Sequence, residues 1–294
     1  MESRCAFVAV VGEPNAGKST LVNVIVGTKV SIVSPKVQTT RRQVRGIVEL
    51  GEVQLVFVDT PGFCRPNSAL ERAISKNIKG AYKDADMILL LIDASSKGVR
   101  RSLDFLEKMK LTKIPFCVAI NKVDIAKRED ILKVAQALSA YDFIKRVFMV
   151  SARTGDGLGE LQEFLCHSAP IGAWLFEPSR PTDASMAFQL AEITREKLFN
   201  HLQKELPYSV YVETEQMKET EKKASISQVI VVMKDSQKGI ILGRAGGMIK
   251  TIKEEAVRGM RGLLGKKVDL TLFVKVKEKW TEKMVHLQNA GIVD

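Results

Sequence analysis

The chain reads Phe-Val-Ala-Val-Val-Gly-Glu-Pro-Asn-Ala-Gly-Lys-Ser from residue 7 to residue 19. The apolar run predicts a buried strand, and the remainder fits the pattern G-x-x-x-x-G-K-[ST], which the helix-like stretch Thr20 to Val26 follows. In this pattern the glycines let successive backbone N–H groups point into one concavity, where the helix N-terminus adds its positive end. The sequence therefore predicts a strand–loop–helix unit that holds phosphate groups.

The residues of this loop have distinct expected roles. Lys18 is expected to reach the β- and γ-phosphates of a nucleotide, and the Ser19 hydroxyl is expected to hold Mg²⁺. The other predicted contacts come from the loop and the residue that follows it, namely Gly12, Glu13, Pro14, Asn15, Ala16, Gly17 and Thr20. An ordinary glycine-rich turn is the alternative, and the flanking strand and helix argue against it.

A second motif, Asp59-Thr60-Pro61-Gly62, follows the apolar run Leu55–Val58. At the tip of a buried parallel strand, the Asp59 carboxylate is well placed to bind Mg²⁺ together with Ser19. The Gly62 N–H can approach the γ-phosphate because no side chain blocks it. The predicted nucleotide contacts in this stretch are Asp59, Thr60, Pro61, Gly62 and Phe63.

Two further motifs indicate which base is bound. Asn121-Lys122-Val123-Asp124 and Ser151-Ala152 each follow an apolar run. The Asp124 carboxylate can accept hydrogen bonds from N1–H and the 2-amino group of guanine, a donor pair that adenine lacks. A backbone N–H of Ser151-Ala152 is expected to contact the base oxygen, and Asn121 and Lys122 complete the site. Each motif alone also fits a turn or a helix cap, but their order and spacing predict GTP and GDP as ligands.

The composition is that of a globular protein with one large or two ordinary domains. Of the 294 residues, 45% are hydrophobic and 27% are charged. The longest apolar run is too short to span a membrane, and the start of the chain leaves no room for a signal peptide. Neither the cysteines nor the histidines have metal-ligand spacing, and we expect no catalytic role for them. They are Cys5, Cys64, Cys117, Cys166, His167, His201 and His286.

Hydrophobic periodicity divides the chain into three parts. Strand-like runs alternate with helical patterns in residues 1–168, which predicts an α/β domain with a mostly parallel sheet covered on both faces. Residues 169–184 contain three prolines and predict a linker, in which Trp174, Leu175 and Phe176 dock on a domain surface. Residues 185–294 predict a smaller α+β domain. Its expected elements are a helix over Ala187–Lys204 and strands over Tyr208–Glu213, Ser225–Met233 and Val268–Val276.

The last part of the chain also has features of an RNA-binding domain. Gly243-Arg244-Ala245-Gly246 forms a Gly-x-x-Gly turn before a predicted helix, and residues 234–283 carry 13 basic and six acidic residues. A Gly pair that merely packs two helices is the alternative; the basic excess and an adjoining apolar groove of Ile240, Ile241, Leu242, Ile249 and Ile252 favour RNA. The predicted RNA contacts are Lys238, Ile241, Gly243, Arg244, Ala245, Gly246, Ile249, Lys250 and Lys253.

These motifs together resemble the Era family of bacterial GTPases. The resemblance rests on the motifs above, on Gln38-Thr39-Thr40-Arg41, and on Glu205–Val210, Gln237–Ile241 and Val274–Val276 before Trp280. It implies a P-loop GTPase domain followed by a type II KH domain that grips the 3′ end of 16S rRNA, with GTP hydrolysis coupled to assembly and 3′-end maturation of the small (30S) ribosomal subunit. It further implies a cytoplasmic monomer that associates peripherally with the inner membrane. Ala245 departs from the family, in which a second basic or polar residue is common.

The same motifs predict how hydrolysis proceeds. Phe63 stands where many GTPases have a water-orienting Gln, so we expect slow intrinsic turnover. Thr40 is expected to complete the Mg²⁺ shell, and the residues expected to act in catalysis are Lys18, Thr39, Thr40 and Gly62. In the similar TrmE–Era class, the residue matching Asn15 binds K⁺; a simple turn-forming role beside Pro14 is the alternative.

The nucleotide state is expected to control RNA and ribosome engagement through ordering of residues 28–43 and 60–72. Two other classes of function are alternatives. One is a pure RNA-binding factor in which the nucleotide is only structural, and the other is a GTP-dependent partner in RNA modification. The second would need a cofactor site or a reactive cysteine.

Overall fold

The structure is a computed structural model that describes residues 2–36, 39–63, 82–95 and 99–282. Gln38, Cys64, His286 and parts of both predicted switch segments lie outside the described residues. The described residues up to Asp183 form one compact unit, and those from Ala184 onward form a second. No described helix is both long enough and apolar enough to cross a membrane.

The first unit contains a six-stranded sheet with the strand order β2-β3-β1-β4-β5-β6. All neighbouring strands are parallel except β2 and β3, which pair in the antiparallel direction, so the predicted mostly parallel sheet is confirmed. The strands are β1 Arg4–Gly12, β2 Val44–Leu50, β3 Val53–Asp59, β4 Met87–Asp93, β5 Phe116–Asn121 and β6 Ile144–Met149.

Helices cover both faces of this sheet. Alternate residues of β1 enter two separate cores: Val10 packs in the same core as Leu21 and Leu161, and Val11 in the same core as Leu106 and Val134. A strand buried on both faces must be apolar at every position, which explains the unbroken hydrophobic runs. The described helices of this unit are α1 Lys18–Val26, α2 Val99–Met109, α3 Arg128–Leu138 and α4 Leu158–Ser168.

The edge strand β6 begins and ends earlier than the predicted strand Val147–Ser151. Val147 and Met149 are 37% and 51% exposed, whereas Phe148 is buried against the core. Because β6 is the last strand of the sheet, one face of this strand is poorly covered by other elements. Hydrophobic periodicity alone does not distinguish an edge strand from a central one.

The segment from Pro170 to Asp183 docks on the first unit, as predicted for its aromatic residues. Gln54 on β3 is fully buried, and its side-chain oxygen accepts from the N–H groups of Leu175 at 3.0 Å and Phe176 at 3.1 Å. Its amide donates to the Phe176 carbonyl at 2.9 Å, and the Trp174 indole donates to the Glu52 carbonyl at 3.2 Å. This part of the chain is therefore held by directed hydrogen bonds.

The second unit is a three-stranded sheet packed against helices. Strand β8 pairs antiparallel with β7 and parallel with β9. The expected strand at Tyr208–Glu213 is shifted in the structure, because Pro207 and Tyr208 lie in a 3₁₀ turn and the strand continues to Glu219 in a hairpin with β8. The elements are α5 Met186–His201, β7 Tyr211–Glu219, β8 Lys223–Val232, α6 Asp235–Leu242, α7 Gly247–Leu264 and β9 Lys267–Val276.

Candidate functional site

The phosphate-type loop joins β1 to α1, as the motif predicts. Gly12 and Gly17 have φ values of 155° and 96°, which side-chain-bearing residues rarely adopt. A Cβ atom at Gly12 would lie 2.5 Å from the Leu91 carbonyl oxygen, and one at Gly17 would overlap the Asn121 amide. Both positions require glycine for conformation and for space.

Lys18 is buried in this loop. Its ammonium donates to the carbonyl oxygens of Gly12 at 3.1 Å and Glu13 at 2.9 Å. Burial lowers the pKa of Lys18 to about 8, although the negative charges of Asp59 and Glu13 oppose this shift. The Glu13 side chain points toward α2, where it accepts from the Ser102 hydroxyl at 3.4 Å. Glu13 can therefore contact phosphate only through its backbone.

Three oxygen-bearing side chains converge beside Lys18. The Ser19 hydroxyl lies 2.7 Å from Asp59 Oδ2 and 3.0 Å from Thr40 Oγ1, and Thr40 Oγ1 lies 3.4 Å from the same Asp59 oxygen. Asp59 Oδ1 is buried and has no hydrogen-bond partner among the described residues. Burial also raises the pKa of Asp59, since a carboxylate without full compensation is costly there. Two hydroxyls and a carboxylate are ligands that fit Mg²⁺.

A cavity of about 360 Å³ lies next to these groups. Thr39 lines the cavity, but its hydroxyl donates to the Lys36 carbonyl at 2.7 Å, whereas the Thr40 hydroxyl points to Ser19 and Asp59. The geometry favours Thr40 as the metal ligand. The cavity is lined by Pro14, Asn15, Gly17, Lys18, Ser19, Thr20, Ile32, Val33, Ser34, Pro35, Thr39, Thr40, Gly62 and Lys122.

Asn15 has a φ value of 64°, an uncommon left-handed conformation for a residue with a side chain. Its amide nitrogen donates to the Pro35 carbonyl at 2.9 Å. This bond joins the loop to the segment that precedes Thr39 and Thr40. Because the nitrogen end of the amide is used, the side-chain oxygen is the end available to a cation.

The second motif packs against the loop. A Cβ atom at Gly62 would lie 2.5 Å from the Pro14 nitrogen, so only glycine fits there. The Thr60 hydroxyl donates to the Val10 carbonyl at 2.7 Å, and the Phe63 N–H donates to the Gly12 carbonyl at 3.1 Å. Thr60 and Phe63 therefore support the loop. Pro61 is buried between Thr60 and Gly62.

The Phe63 ring stacks on Phe105 of α2, with ring centroids 4.9 Å apart. The phenyl ring of phenylalanine has no N–H or O–H donor and no lone-pair acceptor for a water molecule. The structure thus gives Phe63 a packing role and no contact that would orient a water molecule.

Asn121 connects the base motifs to the phosphate loop. Its amide donates to the Ala16 carbonyl at 2.7 Å and accepts from the Ala152 N–H at 2.9 Å. The Ser151 N–H donates to the Asp156 carbonyl at 3.0 Å. The N–H groups of Ser151 and Ala152 are both engaged within the protein. The contact of one of them with the base oxygen stays a prediction.

Lys122 and Asp124 lie in different environments after the end of β5. Lys122 has a φ value of 66°, and its ammonium lies 2.6 Å from Asp93 Oδ2. Asp124 is exposed and has no ion-pair partner in the part of the chain that the structure describes. The sequence motifs do not include Asp93, although it directly follows the apolar run Met87–Ile92, just as Asp59 follows Leu55–Val58.

In the second unit, the Gly-x-x-Gly turn lies between α6 and α7, as predicted. Gly243, Ala245 and Gly246 have φ values of 72°, 50° and 76°. Arg244 is exposed and Lys238 is half-buried. Farther along α7, a shallow cavity of about 490 Å³ is lined by Lys250, Lys253, Glu254, Val257, Arg258 and Arg261.

The apolar groove beside this turn differs from the expectation. Ile241 and Ile252 are fully buried in the core of the second unit, so their side chains are not accessible to RNA. Ile240 and Leu242 are 55% and 37% exposed, and Ile249 is half-buried. Neighbouring residues of a helix point in different directions, and the packing of α6 on the sheet decides which of them is covered.

The described cysteines do not support a nucleophilic role. Burial raises the pKa of Cys117 to about 12 and also raises the pKa values of Cys5 and Cys166. A thiol in this state contains little of the reactive thiolate. Among the residues that the structure describes, there is also no cluster of three or more His, Cys, Asp or Glu side chains that could hold a metal ion.

Comparison with known proteins identifies both units. A family model described as a 50S ribosome-binding GTPase matches residues 7–122, and a KH domain model matches residues 205–281. GTPase Era of Mesorhizobium japonicum is 46% identical over 97% of this chain and 93% of its own length. GTPase Era of Agrobacterium fabrum is 44% identical over 99% of this chain and 92% of its own length.

Solved structures agree with this assignment. A crystal structure of Era in complex with MgGDPNP and nucleotides 1506–1542 of 16S ribosomal RNA has a TM-score of 0.94 and 32% identity, covering 99% of this chain and 100% of that chain. A structure of an Aquifex aeolicus Era variant bound to GDP and AlF4⁻ has the same TM-score, identity and coverage. The chain therefore belongs to the Era family of GTPases, with a P-loop GTPase domain followed by a KH domain.

Proposed function

We propose that residues 1–168 bind and hydrolyse Mg²⁺·GTP and that residues 185–294 bind the 3′ end of 16S rRNA during assembly of the small ribosomal subunit. Residues 169–184 connect the two domains. The observation that carries the proposal is the convergence of Ser19, Thr40 and Asp59 beside the buried Lys18. This arrangement joins a metal-ligand set to a phosphate-binding loop, which is the combination that nucleoside triphosphate hydrolysis requires.

In this proposal Lys18 leaves its two carbonyl partners and contacts the β- and γ-phosphates. Ser19, Thr40 and Asp59 hold Mg²⁺, which neutralises charge on the phosphate oxygens when it is bound. The Gly62 N–H, next to Pro14 of the loop, donates to the γ-phosphate. These groups stabilise negative charge that develops on the transferring phosphoryl group, so they act as positioned donors and cations.

Asp124 reads the guanine base through its two carboxylate oxygens, while Asn121 keeps the base motif fixed to the phosphate loop. Replacing guanine by adenine would remove both hydrogen bonds to the carboxylate, because adenine has neither an N1–H nor a 2-amino group. We therefore expect binding of GTP and GDP and rejection of ATP in a direct titration. Equal affinity for ATP would contradict the proposal.

The side-chain oxygen of Asn15 is proposed to hold K⁺ beside the phosphates, because the amide nitrogen is committed to Pro35. A monovalent cation there adds positive charge where Phe63 supplies none. The test compares turnover in potassium and sodium buffers of equal ionic strength. Faster turnover in potassium that is lost in Asn15→Ala supports the site, and equal rates in the two buffers contradict it.

The RNA-binding half of the proposal rests on the second unit. Its Gly-x-x-Gly turn lies beside exposed Arg244, Lys250 and Lys253, a combination that favours the phosphates of a single strand. The related Era structure was solved with nucleotides 1506–1542 of 16S rRNA. By this similarity we propose the same RNA region as partner, a role in 3′-end maturation, a monomeric cytoplasmic protein and peripheral contact with the inner membrane.

The nucleotide is proposed to control RNA engagement. Crosslinking to total RNA with a GTP analogue bound, followed by sequencing of the captured RNA, tests the partner. Enrichment of the 16S 3′ end is expected, and capture without sequence preference would contradict it. Binding of that RNA in the presence of GTP analogue and of GDP tests the switch, which identical affinities would exclude in this form.

A further inference from the structure

We propose that Asp93 is a positioning residue for guanine recognition: it holds the Lys122 ammonium and thereby leaves the Asp124 carboxylate free for the base. The inference rests on the proposed role of Asp124 as the guanine-reading residue. It concerns a side chain that belongs to none of the nucleotide-binding motifs of the sequence.

The geometry of Asp93 is well defined. It is the last residue of β4 and lies opposite Asn121, the last residue of β5. Its Oδ1 accepts from the Ser95 N–H at 2.9 Å and the Ser95 hydroxyl at 2.6 Å, and its Oδ2 lies 2.6 Å from Lys122 Nζ. The Asp93 side chain is 13% exposed and that of Lys122 is 29% exposed. This ion pair is thus partly shielded from solvent and has a fixed carboxylate.

Lys122 has a second carboxylate, that of Asp124, close to it in the chain. It precedes Asp124 by two residues in a turn in which its own carbonyl accepts from the N–H groups of Ile125 and Ala126 at 3.1 and 3.0 Å. Asp124 is exposed and has no ion-pair partner within the described ranges. Without Asp93, Asp124 is the nearest acidic residue along the chain from Lys122. An ammonium paired with Asp124 would occupy an oxygen that guanine needs.

The consequence differs between guanine and hypoxanthine. Guanine presents N1–H and a 2-amino group and therefore needs both oxygens of Asp124. Hypoxanthine presents only N1–H and leaves one oxygen for Lys122. Loss of Asp93 should therefore weaken GDP binding more than IDP binding, which general loosening of the site would not do.

The test measures Kd for GDP and IDP with full-length Asp93→Asn protein. The Asn side-chain oxygen can still accept from Ser95, so the turn should remain folded, and the melting temperature without nucleotide checks this. We expect Kd for GDP to rise about tenfold and the ratio of the IDP and GDP Kd values to fall about threefold. KM for GTP should rise while kcat stays unchanged.

Two further variants make the test specific. Adding Lys122→Gln to Asp93→Asn removes the competing ammonium and should restore the IDP to GDP ratio. Asp86→Asn serves as the matched control, because Asp86 lies at the other end of β4 and accepts from the Phe7 N–H at 2.8 Å. This control should leave both Kd values unchanged.

The outcomes separate the two hypotheses. An unchanged ratio in Asp93→Asn, or a ratio that Lys122→Gln does not restore, overturns the positioning role. Asp124→Ala tests the proposed function itself: if this variant keeps the wild-type ratio, Asp124 does not read guanine. A ratio that collapses in Asp124→Ala but not in Asp93→Asn rejects only the inference drawn for Asp93.

Discussion

Lys18 and Asp59 carry opposite charges in the same buried site, and burial shifts the pKa of each toward its neutral form. Their mutual attraction opposes these shifts without cancelling them. A site of this kind is costly to keep charged without a ligand, and a phosphate group with Mg²⁺ supplies the missing partners. Ligand binding should therefore be linked to protonation.

GTP binding is expected to weaken as pH rises above about 8. Lys18 with a pKa of about 8 loses its proton there, whereas contact with phosphate favours the charged form. Binding then requires uptake of a proton, so Kd should rise about fourfold between about pH 7 and about pH 8.5.

Calorimetric titrations in two buffers of different ionisation enthalpy measure both Kd and the proton uptake. Lys18→Met serves as the comparison, because its weaker binding should show no such proton uptake. Kd values that stay constant over this range, with no proton taken up, would contradict the assigned role of Lys18.

At the scale of elements, the docked segment on β3 depends on Gln54. Gln54→Leu keeps the side-chain volume similar but removes three partly buried hydrogen bonds to backbone groups of Leu175 and Phe176. We expect the free energy of unfolding to fall by about 2–3 kcal/mol and protease cleavage within residues 170–183 to become faster. Urea titration and limited proteolysis measure these effects.

Gln136→Leu is the matched control for this change, because Gln136 is exposed on α3. Its effect should stay within about 0.5 kcal/mol. Similar losses of stability in the two variants would show that the Gln54 hydrogen bonds do not hold the segment.

The two glycines of the Gly-x-x-Gly turn should differ in their tolerance of alanine. Both have positive φ, but a Cβ atom at Gly243 would lie 2.6 Å from Met248 Cβ and 2.8 Å from its nitrogen, whereas one at Gly246 would meet nothing within 4 Å. Gly246→Ala should cost about 1 kcal/mol of stability from backbone strain alone. Gly243→Ala should cost more, about 2–3 kcal/mol, because backbone must also move.

Thermal unfolding of the two variants checks this order. If Gly246→Ala weakens RNA binding without a comparable loss of stability, close approach of the RNA backbone at that glycine explains the effect. Equal destabilisation by both substitutions would contradict the packing argument for Gly243.

At the scale of the whole molecule, the formal net charge of +11 predicts RNA binding that depends strongly on salt. Lys250 and Lys253 are exposed and have no ion-pair partner in the described part of the chain. Replacing both by Gln should reduce the slope of log K against log salt by about 1.4 for single-stranded RNA, provided that each contacts one phosphate.

The matched control is Lys218→Gln. Lys218 is exposed on β7 opposite Ser225, and the neighbours of Ser225 on β8, Ala224 and Ile226, pack in the same core as Ala256 of α7. Lys218 therefore lies on the sheet face away from α7, and its loss should leave the slope unchanged. Filter-binding titrations at several salt concentrations give the slopes, and equal effects of the variants would contradict local phosphate contact.

Residues that are close together in the sequence determine the phosphate loop, the type of sheet and the order of the motifs. The phosphate loop can be predicted from the sequence, because the glycine spacing, the preceding apolar strand and the following helix are properties of contiguous residues. The sheet covered by helices on both faces can be predicted in the same way, since strands buried on both faces are apolar throughout. The order of the later motifs after successive strands identified a guanine-nucleotide site and, with the Gly-x-x-Gly tail, the family.

Only the tertiary structure decided the contacts between residues distant in the chain. The register between β1 and β3 places Asp59 beside the phosphate loop. The Thr40 hydroxyl faces Ser19 of this loop, whereas the Thr39 hydroxyl bonds to the Lys36 carbonyl. Pairing of β4 with β5 brings Asp93 to Lys122, and packing of α6 covers Ile241 while Ile240 stays exposed. Periodicity describes a residue's neighbours along one element, whereas strand order, register and packing set its neighbours across elements.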